Sequence, residues 1–206
     1  CVSPNRVFVV EAVRDAFTEK VIDRARAAKV GFDKTVDITT GPVINARAWT
    51  RLKGLVDDAV SEGATLLSGG DRPAGLNAGH YLAPTVLTDV TETMAVYREE
   101  TFGPIVSIVP FDTKTDLLRM ANDCEEGGRT AYIFTRNLAR AEHYAARLRY
   151  GEIQINGVKY DINLPHGGIG QSGIGHDCSA LALHDYLVHK RITRALDTTT
   201  FGGLNP

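Results

Sequence analysis

Cysteine is scarce in this chain. Its three cysteines, Cys1, Cys124 and Cys178, follow no spacing pattern among 206 residues. An odd, unpatterned count excludes a disulfide framework and points to a reducing compartment, the cytoplasm. Long apolar runs are missing as well. None reaches the roughly 18 residues that a membrane helix needs, so no membrane contact is expected. No signal-peptide pattern opens the chain. Excess charge of either sign is missing too: 23 Lys and Arg stand against 25 Asp and Glu, a formal net charge of −2. Without clustered basic residues there is no footprint for nucleic acid. The six histidines are scattered. Only His184 and His189 are close, and their spacing puts them on different helical faces, so no metal site is expected.

What remains is the balance of a globular protein, with 43% hydrophobic and 23% charged residues. The length suffices for one good-sized core or two small ones. The first residue is not Met, and a strand-like run begins almost at once. The chain therefore reads as a cleaved product, a deliberate fragment or the ordered part of something longer.

Apolar patterning gives the elements. Residues 6–10 form a β-branched and aromatic run that predicts a strand. Val13, Phe17, Val21, Ile22 and Ala25 have helical spacing within 11–29. A second helix fits Ala46 to Glu62, with Trp49, Leu52, Leu55, Val56 and Ala59 mostly on one face. Thr65-Leu66-Leu67 predicts a strand, and Tyr81 to Val90 an extended segment. Pro104 to Phe111 is apolar but for Ser107, the mark of a strand buried on both faces. A helix over 113–124, a strand over 130–135, a helix over 139–148 and a strand over 152–156 follow. This alternation implies crossovers: an α/β fold with a largely parallel sheet and flanking helices. After Asn156 the chain turns Gly-rich and irregular to 177, with a short helix expected over 180–187. Val188 to Leu196 predicts a strand at an edge or subunit contact. Residues 197–206 have no pattern and are expected to be disordered.

Three segments carry possible chemistry. Gly168-Ile169-Gly170-Gln171-Ser172-Gly173 matches the G-x-G-x-x-G dinucleotide pattern letter for letter. That pattern works only between a buried strand and an opening helix, where a pyrophosphate meets helix N–H groups. Neither flank supplies this, so the glycines read as a tight structural loop. Glu99-Glu100-Thr101-Phe102-Gly103-Pro104 precedes the buried strand. If it is extended, Glu100 and Phe102 share a side, where one can hold a sugar hydroxyl and the other offer a flat face to a ring. Equally, the carboxylates can be a solvated strand entry and Phe102 a core residue. Cys1 is a nucleophile if its thiol is activated, and otherwise merely a chain end.

Taken together and in order, these segments resemble the aldehyde dehydrogenase superfamily. Cys1-Val2-Ser3-Pro4-Asn5-Arg6-Val7-Phe8-Val9 is similar to the stretch that runs from the family's catalytic cysteine into a strand. Glu99 to Pro104 resembles its E-E-x-F-G-P signature, and Gly41-Pro42-Val43-Ile44-Asn45 its G-P-x-I segment. Glu62-Gly63-Ala64, Gly69-Gly70, Pro84-Thr85-Val86-Leu87, Ala121-Asn122-Asp123 and the loop from Pro165 to Gly175 continue the likeness to about residue 196.

The resemblance implies a catalytic domain over 1–187, an oligomerisation strand over 188–196 and a tail over 197–206. It implies that Cys1 attacks the aldehyde and carries a thioester after hydride transfer to NAD or NADP, its own N–H helping to hold the oxyanion. It gives Glu100 the nicotinamide ribose and Phe102 the nicotinamide ring. Residues 157–166 would line the substrate entrance, where Lys159, Tyr160 and His166 would favour a small anionic aldehyde; Lys159 on its own reads as solvated surface. A homo-oligomer, dimer or tetramer, is implied for the full-length protein.

His166 departs from the aromatic residue common at its position, and Arg129 from the apolar residue usual after Gly128. The family's phosphate loop, general-base glutamate and oxyanion asparagine lie before the cysteine, so this chain alone is expected to be inactive. Two other readings are open. Cys1 can be the N-terminal nucleophile of a hydrolase, which predicts a layered antiparallel fold and activity without cofactor. The chain can also be a non-catalytic packing or oligomerisation fragment.

Overall fold

A computed structural model describes residues 3–34, 37–123 and 128–194. Strand β1 (Arg6–Val10) is followed by a 3-10 turn and helix α1 (Arg14–Ala27). Helix α2 (Ala46–Ser61), β2 (Thr65–Ser68) and β3 (Thr85–Thr88) come next. Then follow α3 (Ala95–Arg98), β4 (Ile105–Phe111) and α4 (Leu117–Asn122). Strand β5 (Thr130–Ile133), helix α5 (Leu138–Ala145) and β6 (Glu152–Ile155) complete the regular part. Beyond it the described residues hold 3-10 turns at Gly170–Ser172 and Ala180–Tyr186 and an isolated bridge between His166 and Asp177.

The main sheet has strand order β1-β4-β3-β2. Its β1–β4 and β3–β4 pairs are parallel, and β2 lies antiparallel on the edge of β3. A separate two-stranded sheet pairs β5 with β6 in parallel. The expected parallel-dominated α/β architecture is thus present, divided between two sheets. The layered antiparallel fold of the hydrolase reading is not.

Strand β4 sits at the centre and is covered on both faces, as its apolar run demands. Ile105 and Val109 join the cluster built on Leu52 and Val56 of α2. Ile108 joins Val9 and Val86, with Val21 and Ile22 of α1 packed over them. Helix α2 forms because Leu52, Leu55, Val56 and Ala59 recur on one face and are buried together. Asn45 starts it by accepting the Ala48 N–H at 2.9 Å.

Two elements differ from expectation. The helix over 113–124 is shorter because Asp112 accepts the Lys114 and Thr115 N–H groups and holds a turn there. Asp116 then caps α4 through the Arg119 N–H. The one-turn helix α3 has too few residues to show a period; burial of Val96 and Tyr97 stabilises it.

Residues 188–194 carry no strand, because nothing in the described chain offers them a ladder of N–H and C=O groups. Residues 195–206, and with them the expected tail, lie outside the described residues.

Candidate active site

Helix α3 delivers the chain into the turn at 99–103. Thr101 is buried, while Glu100 beside it faces solvent. Phe102 has φ of +48°, so the segment is a turn and not the extended run that would place Glu100 and Phe102 on one side by alternation. A left-handed phenylalanine costs roughly 1 kcal/mol or more and persists only where surrounding contacts fix it. The ring is nevertheless 73% exposed, so no burial of its own repays that cost. Gly103 lies close against the core: a Cβ would stand 2.5 Å from Leu52 Cδ1, so the buried Leu52 side chain would have to shift.

The fixing contacts come from distant parts of the chain. Asn5 Nδ2 donates to the Glu99 carbonyl at 2.8 Å, and the Thr101 N–H donates to Asn5 Oδ1 at 3.0 Å. Arg51 of α2 donates to the carbonyls of Glu100, at 3.2 Å, and Thr101. Its other terminal nitrogen lies 3.6 Å from the Glu99 carboxylate. Sequence reasoning missed both side chains. Asn5 was inside the quoted cysteine segment; Arg51 gave no signal of its own.

Arg6 anchors the same end of β1. Its guanidinium donates to the carbonyls of Met120, Ala121 and Asp123 at 3.1, 3.2 and 2.9 Å, and to the Tyr150 hydroxyl. It also lies over the Tyr97 ring, 4.8 Å from the centroid. The last carbonyls of α4, orphaned by helix geometry, are thereby satisfied. Burial pushes the Tyr97 hydroxyl above its ordinary pKa, against the opposing pull of Arg6.

Cys1 lies outside the described residues. The expected entrance residues are treated unequally. Lys159 is solvated and lies 3.5 Å from the Asp161 carboxylate. The Tyr160 ring meets His166 edge-on at 5.8 Å, and its hydroxyl lies 2.7 Å from Cys178 Sγ. That hydrogen bond with Cys178 raises the Tyr160 pKa above its ordinary value. His166 is only 8% exposed, and its Nδ1 lies 2.6 Å from the Asp177 carboxylate. Two backbone hydrogen bonds join the same pair, so His166 and Asp177 close the glycine loop. Asp177 and Cys178 are partners that the sequence did not suggest.

Gly170, Gly173 and Gly175 all have positive φ, and no helix of the dinucleotide kind opens after them. The loop is structural. Arg129 ties it to β5 by donating to the Ser172 carbonyl at 3.0 Å, which gives this unusual residue a role. A shallow depression of about 190 Å³ opens between Arg129, His166 and residues 173–177.

Comparison with known proteins agrees with the resemblance. A family model described as the aldehyde dehydrogenase family matches residues 1–192. The chain is 38% identical to a glutarate-semialdehyde dehydrogenase of Pseudomonas putida over 91% of its own length and 38% of that protein's. It is 40% identical to a probable NADP(+) succinate-semialdehyde dehydrogenase of Sinorhizobium fredii, again covering 91% of this chain and 38% of the relative. Among solved structures, the succinate-semialdehyde dehydrogenase of Burkholderia pseudomallei superposes with a TM-score of 0.86 at 39% identity, over 91% of this chain and 39% of that one. An aldehyde dehydrogenase of Mycobacterium tuberculosis complexed with NAD+ superposes with a TM-score of 0.84 at 31% identity, over 90% and 38%. The chain thus spans about two fifths of the length of the relatives it matches.

Proposed function

The chain belongs to the aldehyde dehydrogenase family, and we propose that the whole protein oxidises an aldehyde to a carboxylic acid with NAD or NADP, through a covalent adduct on Cys1. The turn at 99–103 carries this reading. It holds an exposed carboxylate, Glu100, and an exposed aromatic ring, Phe102, on a backbone clamped by Asn5, four residues after Cys1. A carboxylate accepts the hydroxyls of a ribose, and a fixed phenyl face suits the edge or face of a nicotinamide. Those residues fit the cofactor.

When bound, the nicotinamide supplies an acceptor for a hydride. Cys1 does the covalent work. Its thiolate adds to the aldehyde carbon, a C–S bond forms, and the carbonyl electron pair moves to oxygen. The Cys1 backbone N–H stabilises that oxyanion. The C–H bond then breaks, its pair leaves as hydride, and the carbonyl re-forms as a thioester on Cys1. Water adds, the C–S bond breaks, and the two hydrogens of the water end on the free thiol and the carboxylic acid. The one proton released overall is the one the thiol gives up when it next becomes a thiolate. One difficult oxidation thereby becomes two easier steps. Glu100 and Phe102 would hold the nicotinamide, which would supply the hydride acceptor.

The substrate is a small anionic aldehyde: semialdehyde dehydrogenases recur among the relatives, and the solvated Lys159, which shares its charge with Asp161 3.5 Å away, stands at the proposed entrance. Residues 188–196 pair with another subunit in a dimer or tetramer; Val188 and Ile192 are apolar and exposed, as such a contact requires. The unpatterned cysteines favour a reducing compartment, the cytoplasm. No described helix is long and apolar enough to cross a membrane.

The test is Cys1→Ala in the whole protein. It is expected to abolish dehydrogenase turnover while leaving cofactor binding, read by calorimetry, within a few-fold. Retained turnover contradicts the thiol mechanism. Replacing a carboxylate-bearing aldehyde by a quaternary-ammonium aldehyde is expected to lower kcat/KM; no preference removes the assignment to anionic substrates.

A further inference from the structure

The three peptide units of Glu99, Glu100 and Thr101 are held by two side chains from far along the sequence. Asn5 pairs with the turn as a strand would, donating to one peptide group and accepting from another. Arg51 donates to the carbonyls of Glu100 and Thr101 and sets its second nitrogen near the Glu99 carboxylate. Burial of the turn itself is slight: Glu99, Glu100 and Phe102 face solvent, and only Thr101 is enclosed. These contacts brace the peptides just before Phe102, whose φ is positive, while the Gly103 and Pro104 carbonyls after it accept from the Ile105 and Thr85 N–H groups.

We propose that Asn5 and Arg51 are positioning residues for hydride transfer. They set the register between the thiol-bearing segment and the turn that holds the nicotinamide. The proposal rests on the roles given above to Cys1, Glu100 and Phe102. Its physical basis is the short tether. Asn5 stands four residues after Cys1, and four residues of chain reach at most about 14 Å. One side chain therefore connects the nucleophile's own segment to the acceptor's turn, and Arg51 braces that turn from α2. Hydride transfer is sensitive to displacements near 1 Å, whereas cofactor binding is spread over many contacts. Loosening the clamp should slow chemistry more than it weakens binding.

The experiment uses the whole enzyme with three substitutions. Asn5→Asp keeps the shape but replaces the donor facing the Glu99 carbonyl by an acceptor. Arg51→Met removes the fork, and Arg51→Lys keeps the charge and one line of donors. Single-turnover hydride transfer is followed at saturating cofactor, with protium or deuterium on the aldehyde carbon. Hydrolysis of p-nitrophenyl acetate reports the thiol without any hydride step. Asn5→Asp and Arg51→Met are expected to slow hydride transfer about ten- to a hundredfold, to raise the deuterium effect on kcat and to move cofactor KM by less than about threefold. Ester hydrolysis should change by less than about twofold, and Arg51→Lys should recover part of the loss.

Unchanged hydride transfer would overturn the proposal. So would an equal fall in ester hydrolysis and hydride transfer, since the clamp would then only maintain the fold. Cys1→Ala and Glu100→Gln run in parallel. If either retains full hydride transfer, the underlying roles fail and the clamp falls with them. If both lose it while the Asn5 and Arg51 variants do not, the clamp alone is wrong.

Discussion

The main sheet and the segment after β6 treat apolar side chains in opposite ways. Leu52, Leu82, Val86, Leu87, Val96 and Ile108 are each at most 1% exposed, enclosed between α1, α2 and the sheet. In the later segment Val158, Ile162, Leu164, Ile174, Tyr186 and Val188 are each at least 63% exposed. Both regions are similarly apolar in sequence. The first carries its own cover, because helices one crossover away return their apolar faces to the strands. The second has glycine turns and 3-10 segments, which bring no such face back. Its apolar residues stand exposed in this chain. Apolar residues thus build a core only where the fold returns a face to cover them.

The sharpest way to break that comparison is a pair of truncations. In urea unfolding of this chain, Leu52→Ala should cost about 2–5 kcal/mol, as a large buried side chain does on leaving a cavity. Ile174→Ala should cost less than about 0.5 kcal/mol. Similar costs at the two positions would show that the later segment has cover after all.

Arg6 ties the main sheet to the chain ahead of β6, since it extends from β1 to the end of α4 and to Tyr150. Arg6→Leu removes a charged donor from all three carbonyls, leaving Met120 to the Tyr97 hydroxyl and Ala121 to the Tyr150 hydroxyl, and a loss of about 1.5–3 kcal/mol is expected. A loss below about 0.5 kcal/mol would mean that α4 is held by other contacts.

Legibility followed the same division. Strands β1, β4 and β6 and helix α2 were read within a residue or two, because their periods and caps are local. Helix α3 was missed because one turn has no period. The strand over 188–196 could not be judged from within the chain, because a strand is defined by its neighbour. At the candidate site, Glu100 and Phe102 were singled out as cofactor residues only through an ordered set of motifs; their own spacing suggested an extended segment, and Phe102 turned out left-handed. Arg51 was invisible because its hydrogen-bond partners lie 49 and 50 residues away. Asp177 and Cys178 were invisible because the loop joining them to His166 and Tyr160 has no regular repeat. Local chemistry predicted elements, and long-range pairing decided what the site residues touch.

The smallest expected effect sharpens the reading of β4. Ser107 interrupts its apolar run, is fully buried, and its hydroxyl has no hydrogen-bond partner among the described residues. Ser107→Ala should therefore be neutral or stabilise the chain by up to about 1 kcal/mol in thermal unfolding. A loss of stability would show that the hydroxyl is satisfied.

One measurement bears most directly on the chemistry. The whole protein is mixed with cofactor and aldehyde, quenched in acid within the first turnover, digested, and its cysteine peptides weighed. A thiol nucleophile predicts an acyl group on the peptide containing Cys1, present only when cofactor and aldehyde are both supplied. Full product formation with that peptide unmodified at every time point, or with the acyl group on Cys124 or Cys178 instead, would contradict it.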